Sequence, residues 1–295
     1  MCLAAQLDGE QQKKLEGMRE RFAGRDGNGL PLDDPCFLRY LRARSWNVEK
    51  SADMLSSTLD WRKSFGVENI ATEHMDTVRK ENATGKVYVR GFDLKGRPVM
   101  YMRPRCENTG NHDGNMKHLV YQMERARHLL QDRTQGRGKM CLVIDYEGYS
   151  LRNAPPMRTS RETLHVLQNH YPETLGVAYM VSPPWIFNSF WKIIYPFIDK
   201  VTRGKFIFLR EDLAGQHAQA VLAENFALGE LEQAVGGKNT TLFVSETYLA
   251  GPMDTEFEAL LVNASAPGPG AADGPGREEE EEVGVGPAAV EVAAS

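Results

Sequence analysis

KVYVRGFDLKGRPVMYMRP, residues 86–104, is where the chain stops reading as helix and begins to read as sheet. Two runs rich in Val, Tyr and Met flank Asp93-Leu94-Lys95-Gly96, a turn sequence, so the stretch predicts a β-hairpin. Upstream, the signals are helical. In DDPCFLRYLRAR either Asp33 or Asp34 caps a helix, Pro35 sits in its first turn, and Phe37, Leu38 and Leu41 recur at helical spacing. In NVEKSADMLSSTLDWRKSFGV, Asn47 caps, Ala52, Leu55 and Leu59 form a stripe, and Gly66 ends the helix. Downstream, strands alternate with helices. A long helix carries Met116, Leu119, Met123, Ala126 and Leu130 on one face, and the apolar strand MCLVIDYEG follows. Next come helix PPMRTSRETLHVLQNH, strand GVAYMVS, an aromatic helix, strand KFIFL and a helix around HAQAVLAENF. That alternation implies crossover units and a largely parallel sheet.

Composition bounds the function. The chain has 295 residues, 41% hydrophobic and 25% charged, with four scattered cysteines that show no metal-ligand or disulfide spacing. No run of eighteen apolar residues predicts a membrane span. The opening residues MCLAAQLDGEQQKK carry no secretory pattern, Cys2 stands where myristoylation needs glycine, and EVAAS holds no prenylation box. These features point to a reduced, cytosolic compartment. From residue 251 onward ten acidic residues stand against Arg277 alone, a net of −9, so residues 1–250 carry about +4. A body this weakly basic argues against nucleic acid as partner. The Ala/Gly/Pro/Glu-rich stretch 251–295 reads as a disordered tail, either a solvated spacer or an interaction segment. The expected organisation is a helical N-terminal subdomain over 1–83, an α/β domain over 84–250, and the tail.

Trp185–Lys205, WIFNSFWKIIYPFIDKVTRGK, is the most unusual stretch: six aromatics fall within its first fourteen residues, in a chain 9% aromatic overall. As a helix it gathers Ile186, Phe187, Phe190, Trp191, Ile193, Ile194, Phe197 and Ile198 over nearly half its circumference. Periodicity alone fits a buried core helix. Pro196 and the aromatic excess fit an element that also faces a membrane interface. No G-x-S-x-G, P-loop or H-E-x-x-H occurs, and His112, His118, His128, His165 and His170 fall on separate elements or helix faces, so enzymatic and metal chemistry are not expected. Asp145, ending an apolar strand, reads as a structural tie to a neighbouring loop.

Several short motifs occur in a fixed order: LRYLRAR (38–44), WRKSFGV (61–67), GRPV (96–99), VIDYEG (143–148), HYPETLG (170–176), FIDKVTRGK (197–205) and GGK (236–238). Together they resemble the CRAL-TRIO lipid-binding family, and within it the phosphatidylinositol transfer proteins, over about residues 30–245. The resemblance implies a mixed, largely parallel sheet whose helices enclose a lipid pocket, closed by a movable gate at Trp185–Lys205, with Phe187, Phe190, Trp191, Ile194 and Phe197 lining it. It further implies that Arg44, Glu173, Thr202 and Lys205 hold an inositol phospholipid head group. Arg and Lys suit a phosphodiester, Thr adds a hydroxyl, and Glu accepts from sugar hydroxyls or orients the lysine. At the positions where dual-ligand relatives surround choline with two Tyr, a Ser and a Thr, this chain has Met100, Met123, Met140 and Leu142. Methionines give a quaternary ammonium no aromatic face and its phosphate no donor. They suit either a plain core or an adaptable cavity for a sterol-like or other neutral ligand. The resemblance thus implies a non-enzymatic lipid carrier without cofactor that touches membranes reversibly. The alternatives are a carrier of a neutral hydrophobic molecule and a lipid-regulated adaptor acting through its acidic tail.

Overall fold

Strand β3, Met140–Asp145, is the middle of a five-stranded sheet of order β1-β2-β3-β4-β5. The computed structural model describes residues 7–133, 138–150, 152–198, 200–210 and 213–265. β1 (Val87–Phe92) and β2 (Pro98–Met102) form the antiparallel hairpin. Its turn is fixed by Asp93, whose Oδ1 accepts from the Lys95 and Arg97 amides, and by Gly96 at φ +72°, where a side chain would strain the backbone. β3, β4 (Leu175–Val181) and β5 (Phe206–Leu209) then add in parallel. The crossovers are helices α5 (His112–Arg133), α6 (Met157–His170) and the shorter α7 (Phe187–Ile194) with α8 (Lys200–Arg203).

Strand alternation divides the core into two faces. Tyr88, Tyr101, Val143, Tyr179 and Leu209 point toward a cluster closed by Leu222, Phe226, Leu231, Tyr248 and Phe257. These closing residues come from α9 (Gln216–Ala223), α10 (Ser245–Ala250), α11 (Phe257–Ser265) and the loops between them. The opposite face meets α5, α6 and α7. Phe257 is buried and α11 packs on α10 and β1, so residues 251–265, expected as disordered tail, are folded. A short apolar helix is hidden by the composition of the residues after it. Residues 266–295 lie outside the described residues.

The N-terminal helices keep a core of their own. α1 (Gly9–Phe22) begins at Asp8, which forms a capping box with Gln11. α2 (Asp34–Ala43) starts where Asp33 accepts from the Cys36 amide, and α3 (Val48–Phe65) where Asn47 accepts from that of Lys50. Gly66 ends α3 at φ +74°. Leu15, Met18, Phe22, Phe37, Leu41, Leu55 and Leu59 pack between the three. A fourth helix, α4 (Met75–Asn82), lies along α5.

α5 departs from its single-stripe reading: beside the expected Met116, Leu119, Met123, Ala126 and Leu130, the polar His118, Gln122, Glu124 and Arg125 are also buried. Helix α5 is central, and most of its buried polar groups find partners, many of them distant in sequence; Arg125 bonds the Thr255 carbonyl through Nη2 and leaves Nε and Nη1 without a hydrogen-bond partner among the described residues. His118 Nε2 lies 2.9 Å from both Asn82 Oδ1 and Gln122 Nε2, while Tyr248 Oη donates to Gln122 Oε1 at 2.5 Å. Burial, helped by the Lys86 charge, pushes the imidazole down to about 3. The unfolded chain therefore takes up this proton near pH 6.5 while the fold refuses it. Stability from this site is complete above pH 6.5 and falls by about 1.4 kcal/mol per pH unit from there toward pH 3. Urea midpoints at pH 7, 6 and 5 should show a steeper loss for the wild type than for His118→Gln; parallel slopes would refute a buried neutral imidazole.

Candidate functional site

Trp185–Ile198 crosses the second sheet face at β4 and β5. Pro184 accepts from the Phe187 amide at 2.9 Å to start α7, and Pro196, lacking an amide proton, converts the end into a 3₁₀ turn, Tyr195–Phe197. This break splits the apolar arc in two. Phe187, Ile194 and Ile198 face inward and are buried, with Trp191 partly so. The Phe187 ring lies 4.6 Å from that of Tyr146, and Trp191 lies 4.9 Å from Phe206 and 5.4 Å from Phe208. Trp185, Ile193, Tyr195 and Phe197 form an outer row, with Trp185 81% and Phe197 50% exposed. Phe197, expected inside, is turned outward by the Pro196 break. The side chain of Phe190 lies outside the described residues.

Beside the outer row opens a cleft of about 550 Å³ lined by Gln168, Tyr195, Pro196, Phe197, Ile198, Lys200 and Arg203. Gln168 of α6 donates to the Phe197 carbonyl at 2.7 Å, and Arg203 Nε donates to that of Ile198 at 2.8 Å. The Arg203 guanidinium lies 4.2 Å over the Tyr195 ring, and that of Arg161 lies 5.6 Å over Phe197.

The methionine positions come together on the same sheet face. Met100 is the register partner of Leu142, and both pack with Met123, Met140, Met116 and Val166 between sheet, α5 and α6. Ile144 and Met180 continue this layer to Phe187 and Phe208. One apolar face thus runs from the methionines to the aromatic segment.

The four head-group candidates are carried by the end of α2, the corner before β4, and the α8–β5 connection. Arg44 caps the C-terminus of α2, its amide bonding to the Tyr40 carbonyl and its Nη1 to the Ala43 carbonyl. One turn back, Tyr40 Oη donates to the His170 carbonyl at 3.5 Å, bringing this helix end to the HYPETLG corner. Glu173 sits two residues before β4 at φ +58°, a region costly for a non-glycine residue and characteristic of functional sites. Its carboxylate is 3.5 Å from Lys139 Nζ. The Thr202 carbonyl accepts from the Lys205 amide, and the Lys205 carbonyl accepts from Ala178 as β5 joins β4. Lys139 is absent from the sequence reading; it directly precedes the apolar run of β3, and only the register of β3 against β4 brings it to Glu173. Arg161, Gln168 and Arg203 are likewise visible only in three dimensions.

A buried ionic frame holds the corner. Arg62 of α3 makes a bidentate pair with Glu124 at 2.8 and 3.1 Å, and Tyr171 Oη donates to the same carboxylate at 2.8 Å, as does Arg127. Burial alone would raise the Glu124 carboxyl, yet the Arg62 bonds, the Arg127 charge and Tyr171 hold it down to about 2. Trp61 stacks on His170 with ring centroids 4.2 Å apart. Asp145 accepts from Arg105 at 2.7 Å and from the Glu147 amide at 3.0 Å, fastening the end of β3 to its loop. Among the described residues, no group of His, Cys, Asp and Glu could hold a metal, and no helix is long and apolar enough to cross a membrane.

The family model described as CRAL/TRIO domain matches residues 82–237, and that of the CRAL/TRIO N-terminal domain matches residues 6–57. The chain is 35% identical over 213 residues to the phosphatidylinositol transfer protein PDR17 of Saccharomyces cerevisiae, covering 66% of this chain and 60% of that protein. A CRAL-TRIO domain-containing protein of Schizosaccharomyces pombe is 39% identical over 179 residues, which are 61% of this chain but 17% of the relative. The SEC14 cytosolic factor of Kluyveromyces lactis is 29% identical over 249 residues, 78% of this chain and 82% of that protein. The first two relatives are thus matched over three-fifths of their length or less. Among solved structures, that of Sfh5 superposes with a TM-score of 0.64 over 87% of this chain and 97% of its own, at 18% identity, a likeness of fold.

Proposed function

The chain belongs to the CRAL/TRIO domain family, and on that premise we propose that it carries phosphatidylinositol between membranes without catalysing a reaction. The observation that supports this most is the two-faced segment Trp185–Ile198, with Phe187 and Ile194 buried against the sheet and Trp185 and Phe197 in solvent. In this reading the segment is a gate. Its inner row covers the acyl chains over Met100, Met123, Met140 and Leu142, and its outer row enters the membrane interface. Each methylene kept from water is worth about 0.8 kcal/mol, so a carrier has to match the bilayer with a face almost as apolar. Arg44, Glu173, Thr202 and Lys205, now with Lys139, are assigned to the head group. The protein would act in the cytoplasm as a reversible peripheral visitor to membranes, with residues 1–83 as a helical buttress to the lipid domain at 84–250.

A second reading, a carrier of a neutral hydrophobic molecule, is favoured by the buried methionine cluster, which offers an adaptable apolar lining without strong donors. Mass spectrometry of lipid co-purified from eukaryotic cells separates the two. Wild type should carry phosphatidylinositol, and Lys205→Ala should lose roughly ten-fold or more of it, since a bond to a charged group is worth about 1.5–3 kcal/mol. Glu173→Asn should lose lipid while keeping its urea midpoint, because Asn tolerates the left-handed backbone better than Glu does. A neutral lipid in all three proteins would overturn the head-group assignment and put the second reading first.

A further inference from the structure

The stretch that contains the aromatic segment is net positive. Residues 151–210 hold eight Lys and Arg against three Asp and Glu, while from residue 251 onward the net is −9. Around the cleft, Arg161, Lys200 and Arg203 stand at the outer row. Arg161 and Arg203 are held by ring faces and, for Arg203, by the Ile198 carbonyl; among the described residues no carboxylate pairs with any of the three. Lys200 is exposed and lines the cleft with Tyr195 and Phe197. Cations beside an open cleft with exposed apolar side chains suit an extended acidic segment.

We propose that the Glu278–Glu282 run of this same chain docks on that surface and competes there with anionic membrane. The inference deepens the gate reading and rests on it for its membrane half. A block of five glutamates repels itself and cannot form a core, so its binding energy has to come from cations outside it. The reach is sufficient. α11, which packs on β1, ends at Ser265, and the aromatic segment lies over β4 and β5. Four strand spacings are about 19 Å, with about 10 Å more for each layer crossed. Thirteen steps from Ser265 to Glu278 span at most about 45 Å, more than that path. Tethering keeps the local concentration of glutamate high, and salt screens the contact with a Debye length of about 10 Å at 0.1 M.

The test uses the full chain and a variant with Glu278, Glu279, Glu280, Glu281 and Glu282 all changed to Gln. Carbodiimide coupling of carboxylates to lysines, mapped by mass spectrometry, should join the 278–282 run to Lys200 or Lys192 at 50 mM salt. The links should fade at 0.5 M salt and in Arg161→Glu/Arg203→Glu. On vesicles with 30 mol% phosphatidylserine, the Gln variant should bind about ten-fold more tightly than wild type at low salt, with the difference lost at high salt. Links scattered evenly over exposed lysines elsewhere, or unchanged by the charge reversal, overturn the docking. Links to Lys200 with no vesicle binding by either protein keep the docking and sink the gate reading instead.

Discussion

Arg62→Leu is expected to destabilise the fold by about 3–5 kcal/mol, the most costly single change at the joint between the N-terminal helices and the lipid domain. Both partners of the Arg62–Glu124 pair are almost wholly buried. Removing the guanidinium strands a carboxylate that is charged down to about pH 2 in the fold, and also frees the Asn28 carbonyl that Arg62 Nε bonds at 2.9 Å. Arg127 remains 2.8 Å from Glu124, which places the cost toward the lower end of that range. Arg62→Leu/Glu124→Leu should recover much of the loss, because the buried pair itself contributes little net energy against a packed apolar replacement. The recovery stays incomplete: Tyr171 Oη, which donates to Glu124, is left without its acceptor at about 1–3 kcal/mol. Urea midpoints of the two variants decide it. A single substitution costing less than about 1 kcal/mol would mean that water reaches the pair.

That joint marks the limit of what the amino-acid sequence discloses. Asp33, Asn47, Gly66 and the Asp93–Gly96 turn are readable because each acts on backbone groups within four residues of itself. The strands are readable because apolar runs bounded by turns and helices have few other uses. Arg62 and Glu124 are sixty-two residues apart, and neither shows in its own helix that it is buried. Helical periodicity gave α5 one apolar stripe, whereas its polar positions are buried too, through Asn82, Tyr248 and Tyr171. The same limit applies at the candidate site. The motifs locate Arg44, Glu173, Thr202 and Lys205, but Lys139 enters only through strand register, and Arg161 over Phe197 only through the approach of α6 to the aromatic segment. Composition averaged over 251–295 predicts an Ala/Gly/Pro/Glu-rich disordered tail and hides the short helix that begins at the packed Phe257.

The aromatic segment gives the sharpest separation of stability from function. Phe187→Ala should cost about 3–5 kcal/mol, since the ring is fully buried among Tyr146, Trp191 and Phe208 and leaves a cavity there. Ile193→Glu/Phe197→Glu should leave the urea midpoint within about 0.5 kcal/mol, because both side chains are about half in solvent already. Transfer of labelled phosphatidylinositol between vesicles should respond in the opposite sense. Fully burying an isoleucine or phenylalanine is worth about 1.5–3 kcal/mol, so moving two half-exposed ones into an interface gains about 2 kcal/mol, close to thirty-fold in membrane affinity. The double variant forfeits that gain and adds repulsion from anionic lipid, while Phe187→Ala, held below its melting range, retains the outer row and its membrane contact. If the outer pair transfers lipid at the wild-type rate, the exposed row has no membrane role and Trp185–Ile198 is a core element with a wet edge. If the outer pair unfolds instead, the two rows pack as one unit, and the gate has to move as a rigid whole.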